Sequence, residues 1–355
     1  MQIEFLNKEP AERARFFQQA ALRQSTLPVI IEKDFWVCWM LGVLFGDAEL
    51  ARQIVFKGGT SLSKVFGVID RFSEDIDLSI APAFVGIEDH DIAAANTRTQ
   101  RDRLMQRLEQ ACLETVRERI QPAVEPRIVA ALGPSPGGKP WLEFETDGAT
   151  HSPVLLFQYP SSQPEGFAYL RRFVKLEFGS LTDQQPTGRH PVLPWVAETY
   201  PGGFKDWKCQ VVALELERTF WEKATILHAE FHRDASDEMP DRFSRHYADM
   251  SRLAQHPSCA PFFAMDDLCG RVVDWKSRFF ARAWARYDLA RRGTFRLAPP
   301  PERLAELTAD YDGMRQMFIT PPPAFDEIVR VLKDAEQKIN KPRPATAERV
   351  RPAAT

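Results

Sequence analysis

Residues 55–80 read VFKGGTSLSKVFGVIDRFSEDIDLSI, and the end of this stretch decides the fold. In EDIDLSI, the apolar Ile76, Leu78 and Ile80 alternate with Asp75, Asp77 and Ser79. That period of two is a strand with one buried face. Asp75 and Asp77 therefore leave the same side. Two carboxylates so placed repel, and each resists ionising unless a cation compensates. A divalent metal is such a cation, and Mg²⁺ takes a few carboxylates while keeping phosphate oxygens as further ligands. Two ions about 3.5–4 Å apart clamp both oxygens of a phosphoryl transfer. An exposed strand face with carboxylates in water would look the same over these residues alone.

The turn upstream narrows the choice. IVFKGG predicts a short strand running into a turn, and SLSKVF a helix opening. Lys57-Gly58-Gly59-Thr60-Ser61 is neither GxxxxGK[ST] nor GxGxxG. Its glycines let backbone approach an anion closely. Thr60 and Ser61 are placed to cap the helix that follows, whose N-terminus favours phosphate. Gly58, Gly59, Thr60 and Ser61 are thus candidate nucleotide-binding residues, and Asp75 and Asp77 candidate metal ligands.

The chain has 355 residues, 44% hydrophobic and 11% aromatic, enough for one large or two ordinary domains. Its net charge of -3 excludes a global basic bias toward nucleic acid, so any such site is a local patch. Five cysteines, Cys38, Cys112, Cys209, Cys259 and Cys269, form no CxxC pair and predict reduced thiols. The first residues lack an apolar signal core, and FWVCWMLGVLFG is too short to span a bilayer. A soluble cytoplasmic protein without a membrane partner is expected.

Along the chain, residues 10–24 and VIIEKDFWVCWMLGVLF predict helices, and residues 94–119 a long charged one. PRIVAAL, WLEFETD, PVLLFQYP and FVKLEFGSL predict strands of a mixed or antiparallel sheet. From about residue 210 the character turns helical, through LERTFWEKATILHAEFH, DRFSRHYADMSRLAQH, DDLCGRVVDWKSRFFARAWARYDLARRG and AFDEIVRVLKDAEQKIN. The expected fold class is α+β, a mixed sheet with flanking helices plus a helical C-terminal lobe. The expected boundaries are 1–208, 209–340 and a disordered tail, 341–355.

A GG[ST] turn followed by D-h-D resembles the nucleotidyltransferase fold of DNA polymerase β-like enzymes, although the spacer, residues 60–74, is slightly long. More narrowly, IEKDFWV, FKGGTSLSKVF, RFSEDIDL, FVKLEFGS, ERTFWEKATILHAEFHR and SRHYADM resemble the AbiEii/AbiGii-type nucleotidyltransferase toxins, which include the MenT toxins. The likeness spans nearly the whole chain except the tail. It implies an enzyme of a type IV-like toxin–antitoxin or abortive-infection (phage-defence) system, with Mg²⁺ (or Mn²⁺) as cofactor, a nucleoside triphosphate donor, a tRNA 3′-end acceptor and a cognate antitoxin. A protein or small-molecule hydroxyl as acceptor, or a nucleotide-binding module without catalysis, are the alternatives.

The fold also calls for a third carboxylate. Glu177 fits, because Lys175, Glu177 and Gly179 share a strand face, while Glu143 and Glu145 lie on an earlier, edge-like strand. The family's helix lysine matches Lys223, and its downstream aspartate matches Asp249, with Ala248 where an aromatic is commoner. Asp75, Asp77, Glu177, Lys223 and Asp249 are the implied catalytic set. Thr219-x-x-Glu222 has capping-box spacing, which predicts Lys223 near a helix start among apolar neighbours. A buried lysine needs an anion. Asp249 stands four after Arg245, so a surface ion pair is its plainer reading; the other is that it orients Lys223 or the nucleophile. His228 and His232 have ligand spacing, but without a third partner they predict packing or hydrogen bonding. Glu32-Lys33-Asp34 predicts a buttress of the site or pairing with basic residues, with no chemistry of its own. Arg278, Arg282 and Arg286 recur at i, i+4, i+8 among Trp275, Phe279 and Trp284, either a candidate RNA stripe or, equally, arginines pairing with acids at a helix contact; Arg171 and Arg172, just before the Glu177 strand, are further RNA candidates.

Overall fold

The computed structural model describes residues 3–148, 150–163 and 171–342. The expected disordered tail falls, from residue 343 on, outside the described residues. Two compact units divide the chain. The first is Met1–Thr219 with Asp312–Pro322, the second Phe220–Tyr311 with Pro323–Thr355.

The first unit is built on one seven-stranded sheet. Its strands are β1 (Ile54–Lys57), β2 (Ile76–Ile80), β3 (Leu142–Thr146), β4 (Pro153–Phe157), β5 (Val174–Gly179), β6 (Thr187–Pro191) and β7 (Gln210–Leu214). They lie in the order β3-β4-β5-β2-β1-β7-β6. β2 is central, antiparallel to β1 and parallel to β5. The sheet is therefore mixed, as expected. Residue 209 onward was expected in the helical lobe, but β7 pairs in parallel with β1.

Among the described residues this unit holds eight α-helices: α1 (Pro10–Arg23), α2 (Pro28–Phe45), α3 (Leu50–Gln53), α4 (Gly58–Lys64), α5 (Asp89–Ala94), α6 (Arg98–Thr115), α7 (Gln121–Leu132) and α8 (Trp195–Thr199). PRIVAAL belongs to α7 and is not a strand. Val124 and Ile128, four apart, are its buried positions, so the true period is helical and the local alternation misleads. The expected long helix over 94–119 breaks before Thr97, where Thr97 and Gln100 form a capping box that starts α6.

The alternation of β2 is kept. Ile76, Leu78 and Ile80 are buried, and their face continues through Phe56, Leu176 and Phe178. α2 covers that face: Trp36 and Trp39 pack on Phe157 of β4, with ring centroids 5.9 and 5.5 Å apart. Burial of such side chains contributes roughly 2–3 kcal/mol each. The opposite face carries Lys57, Asp77 and Glu177 in one cross-strand row.

The second unit is helical. α9 (Leu216–Phe231) has its first turn in the first unit; α10 (Ser244–Gln255), α11 (Asp266–Phe279), α12 (Leu304–Gly313) and α13 (Phe325–Asn340) follow. Asp310 holds the start of α10, accepting from the Arg242 and Ser244 amides at 2.6 and 2.8 Å. Among the described residues no helix is long and apolar enough to cross a membrane.

Candidate active site

β1 ends at Lys57 and the chain turns directly into α4 through Gly58, whose φ is +83°. That left-handed conformation is open to glycine at no steric penalty. Space requires it as well. A methyl group at Gly58 would lie 1.9 Å from Asp77 Oδ2, and one at Gly59 would lie 2.8 Å from Arg71 Nη2 and 2.9 Å from Ser73 Oγ. Both glycines make room first for the chain's own side chains. The carboxylate of the acidic strand is packed directly on the turn.

Thr60 and Ser61 do not cap α4 by side chain; Lys57 is the N-cap, and both hydroxyls lie inside the helix, fully buried. Thr60 Oγ1 donates to the Asp75 carbonyl and lies 2.9 Å from Ser73 Oγ. Ser61 Oγ donates to the Gly58 carbonyl at 2.9 Å. The two residues lock the turn onto the lead-in of β2. Their side chains are not displayed to a ligand.

Asp75 precedes β2 and Asp77 lies within it. Asp75 has an exposed surface, yet protein crowded around it, with Glu74 and Asp77 adding like charge, raises its carboxyl to about 6. Lys33 and Lys175 pull the other way. Glu177 is the direct register partner of Asp77 on the parallel neighbour β5, so both side chains leave the same face. Lys175, one step back on that face, donates to Glu177 Oε2 at 2.9 Å and to Asp147 Oδ2 at 2.8 Å. Burial disfavours its charge, but these two carboxylates outweigh that and hold it protonated. Asp147 was not foreseen, because a D-G turn at the end of β3 carries no sign of chemistry. Glu143 and Glu145 are exposed on the edge strand β3.

Asp75, Asp77 and Glu177 offer carboxylate oxygens, which suit a hard divalent ion. The raised Asp75 carboxyl marks a place short of positive charge. Asp75 and Asp77 fit such an ion; Glu177, in the same row, is engaged with Lys175. Among the described residues no three acidic, histidine or cysteine side chains already stand at metal-holding distances.

In the second unit, Lys223 and Asp249 meet. Lys223 Nζ donates to Asp249 Oδ2 at 2.8 Å, with 7% and 1% of these residues exposed. Asp249 is thus no surface residue. His246 Nδ1 lies 3.2 Å from the same ammonium, a contact that the i, i+3 spacing of His246 and Asp249 on α10 permits. The expected capping box does not form. α9 begins at Leu216, and Thr219 lies inside it, its Oγ1 donating to the Glu215 carbonyl at 3.3 Å. His228 and His232 hold no metal arrangement. His228 Nδ1 accepts the Arg296 amide at 3.1 Å and its Nε2 lies 3.0 Å from the Arg286 carbonyl.

The basic stripe is also corrected. α11 stops at Phe279, Arg282 is extended, and Arg286 has φ 45°. Arg278 faces Asp274 at 4.0 Å, Arg286 pairs with Asp288 at 3.0 Å, and Trp284 leaves to lie under Arg233. A period of four has no meaning across that break, so Arg278, Arg282 and Arg286 share no helical face. In the first unit, Arg172 Nη2 donates to the Gln163 carbonyl at 3.0 Å, and Arg171 is exposed just before β5.

The profile described as "Nucleotidyl transferase AbiEii toxin, Type IV TA system" matches residues 41–331. The chain belongs to the AbiEii nucleotidyltransferase toxin family. It is an enzyme of that class, in a family of type IV toxin–antitoxin systems. A solved structure, the nucleotidyltransferase toxin MenT4 of Mycobacterium tuberculosis H37Rv, is 16% identical, with TM-score 0.41 over 94% of this chain and 98% of that one. A comparison with curated proteins finds no match.

Proposed function

We propose that this AbiEii family member moves a nucleotide from a nucleoside triphosphate to an RNA acceptor, the tRNA 3′ end, in a reaction that needs Mg²⁺ or Mn²⁺. The observation that carries this reading is the packing of the Asp77 carboxylate on the Gly58 turn, with Glu177 as its row partner. Asp75 and Asp77 would hold the ion. When bound, it would neutralise triphosphate charge and ease ionisation of the acceptor hydroxyl. The backbone at Gly58 and Gly59, rather than the Thr60 and Ser61 hydroxyls, would face the phosphates. Glu177 is the group assigned to take the hydroxyl proton, with Lys175 holding its carboxylate in place. Lys223, fixed by Asp249 and His246 within the second unit, is kept as a catalytic candidate on the family resemblance. Arg171 is the exposed arginine nearest in sequence to the Glu177 strand and the first choice for an RNA phosphate. A cognate antitoxin completes the proposed system.

The test is incubation with each α-labelled nucleoside triphosphate, Mg²⁺, and total cell RNA and protein. Label in tRNA that disappears in Asp77→Ala is the expected result. Label in protein instead would replace the acceptor, and nucleotide binding without transfer would end the catalytic reading.

A further inference from the structure

Glu32, Lys33 and Asp34 follow one another on α2 and are 0, 1 and 2% exposed. The rest of α2 carries no charge. Consecutive helix positions point about 100° apart, so the three side chains leave in three directions. Each reaches a different segment of the first unit. Lys33 pairs with Glu74, the residue before Asp75, and donates to the Arg171 carbonyl at 2.9 Å, just ahead of the strand that carries Glu177. Asp34 Oδ1 takes the Lys64 ammonium at 2.7 Å, in the last turn of the helix that opens with Gly58. Asp34 Oδ2 accepts the Trp195 amide at 2.7 Å, and the Lys64 ammonium lies 4.5 Å from the centre of the Trp195 ring. Glu32 accepts from Ser161 Oγ at 2.7 Å, and from Ser162 N and Oγ at 2.6 and 2.7 Å.

Stability alone does not ask for this triplet. Charges taken from water carry a large desolvation penalty, and a buried ion pair replaced by apolar groups of similar volume is often neutral or stabilising. A charge-assisted bond differs from an apolar contact in fixing distance and direction. Here the bonds run to the glycine-turn helix, the lead-in of the acidic strand and the lead-in of β5.

We propose that Lys33 and Asp34 are positioning residues of the transfer site. Asp34, through Lys64, sets α4 so that Gly58 lies against Asp77. Lys33 sets Glu74, and with it Asp75, relative to β5. The inference rests on the nucleotidyl-transfer reading above.

The experiment pairs Asp34→Leu with Lys64→Met in one chain, and uses Lys33→Met, Lys33→Arg and Asp34→Asn with Lys64→Met as companions. Thermal melting and transfer of each α-labelled nucleoside triphosphate with Mg²⁺ to total cell RNA and protein are measured beside wild type. The double variant is expected to melt near the wild-type temperature, the lost Trp195 acceptor offsetting relief of the buried pair, with kcat lower by roughly 10²-fold and KM for the nucleotide little changed. Lys33→Arg is expected to recover most of the kcat that Lys33→Met loses. If the double variant does not fold, Asp34→Asn combined with Lys64→Met, which keeps an acceptor for Trp195 and leaves no unpaired ammonium, reads the same split. A folded variant with wild-type kcat, or a loss carried by KM alone, overturns the proposal. Wild type that transfers no nucleotide overturns the nucleotidyl reading itself, and the positioning role falls with it.

Discussion

Asp77 Oδ2 occupies the space where a side chain on Gly58 would begin, 1.9 Å from that Cβ position. The glycine and the carboxylate are one feature of the site, although they sit on different elements. Gly58→Ala therefore carries two penalties, a left-handed backbone strained by about 1–3 kcal/mol and the eviction of a carboxylate. The variant is expected to melt lower and to lose nucleotide transfer by at least about 10²-fold. Thermal melting and labelled-nucleotide transfer check it together.

Asp75→Asn separates stability from activity. Burial and the like charges of Glu74 and Asp77 already work against its ionised form. The amide removes that repulsion, so the variant is expected to melt at or slightly above wild type while transfer is lost. EDTA should abolish wild-type transfer and added Mg²⁺ or Mn²⁺ restore it. A fully active Asp75→Asn variant would remove Asp75 from the site.

Asp249→Ala leaves the Lys223 ammonium buried beside His246 without its carboxylate. Loss of one partner of a buried pair costs about 3–5 kcal/mol. Denaturant unfolding should show that loss, and transfer should fall even at temperatures where the variant is folded.

His228 gives the fold an acid-sensitive group. Burial lowers its pKa to about 4, and its Nδ1 lone pair already accepts the Arg296 amide. The unfolded imidazole titrates near 6.5. Its contribution is fully present above that value and is lost as pH falls from about 6.5 to about 4, where the unfolded chain binds the proton more strongly. The loss reaches about 3 kcal/mol. Denaturant unfolding at pH 7 and pH 5 should differ in wild type, and differ less in His228→Leu.

Arg171→Glu is expected to weaken tRNA binding and to flatten its salt dependence by about one phosphate contact. Arg278→Glu, Arg282→Glu and Arg286→Glu, which share no helical face, should not act as a set. A filter-binding titration at two salt concentrations distinguishes a contact from general charge.

Much of this was legible locally. Asp75-x-Asp77 was readable because a strand writes its burial in a period of two, and α2 because its apolar run is long. Asp77 beside Glu177 followed only from analogy, since nothing in spacing says which distant strand will be the neighbour. PRIVAAL misled because a short window alternates by chance, and only Val124 and Ile128 together reveal the helix. The Thr219 cap failed because α9 starts a turn earlier than the capping residues suggest. β6, Thr187–Pro191, is an edge strand with little buried surface, so it carries no alternation to find. The glycines were read as space for phosphate; their first occupants, Asp77, Arg71 and Ser73, come from further along the chain and leave no local trace.

The burial of α2 on nearly every side has a consequence for synthesis. β5 and β7, which pack on it, are translated long after residues 28–45 have left the ribosome. Until then the nascent chain exposes much of a tryptophan-rich apolar helix, and Trp195, the second partner of Asp34, is made only after β5. Long-range contacts of this kind form late and leave sticky surface exposed meanwhile.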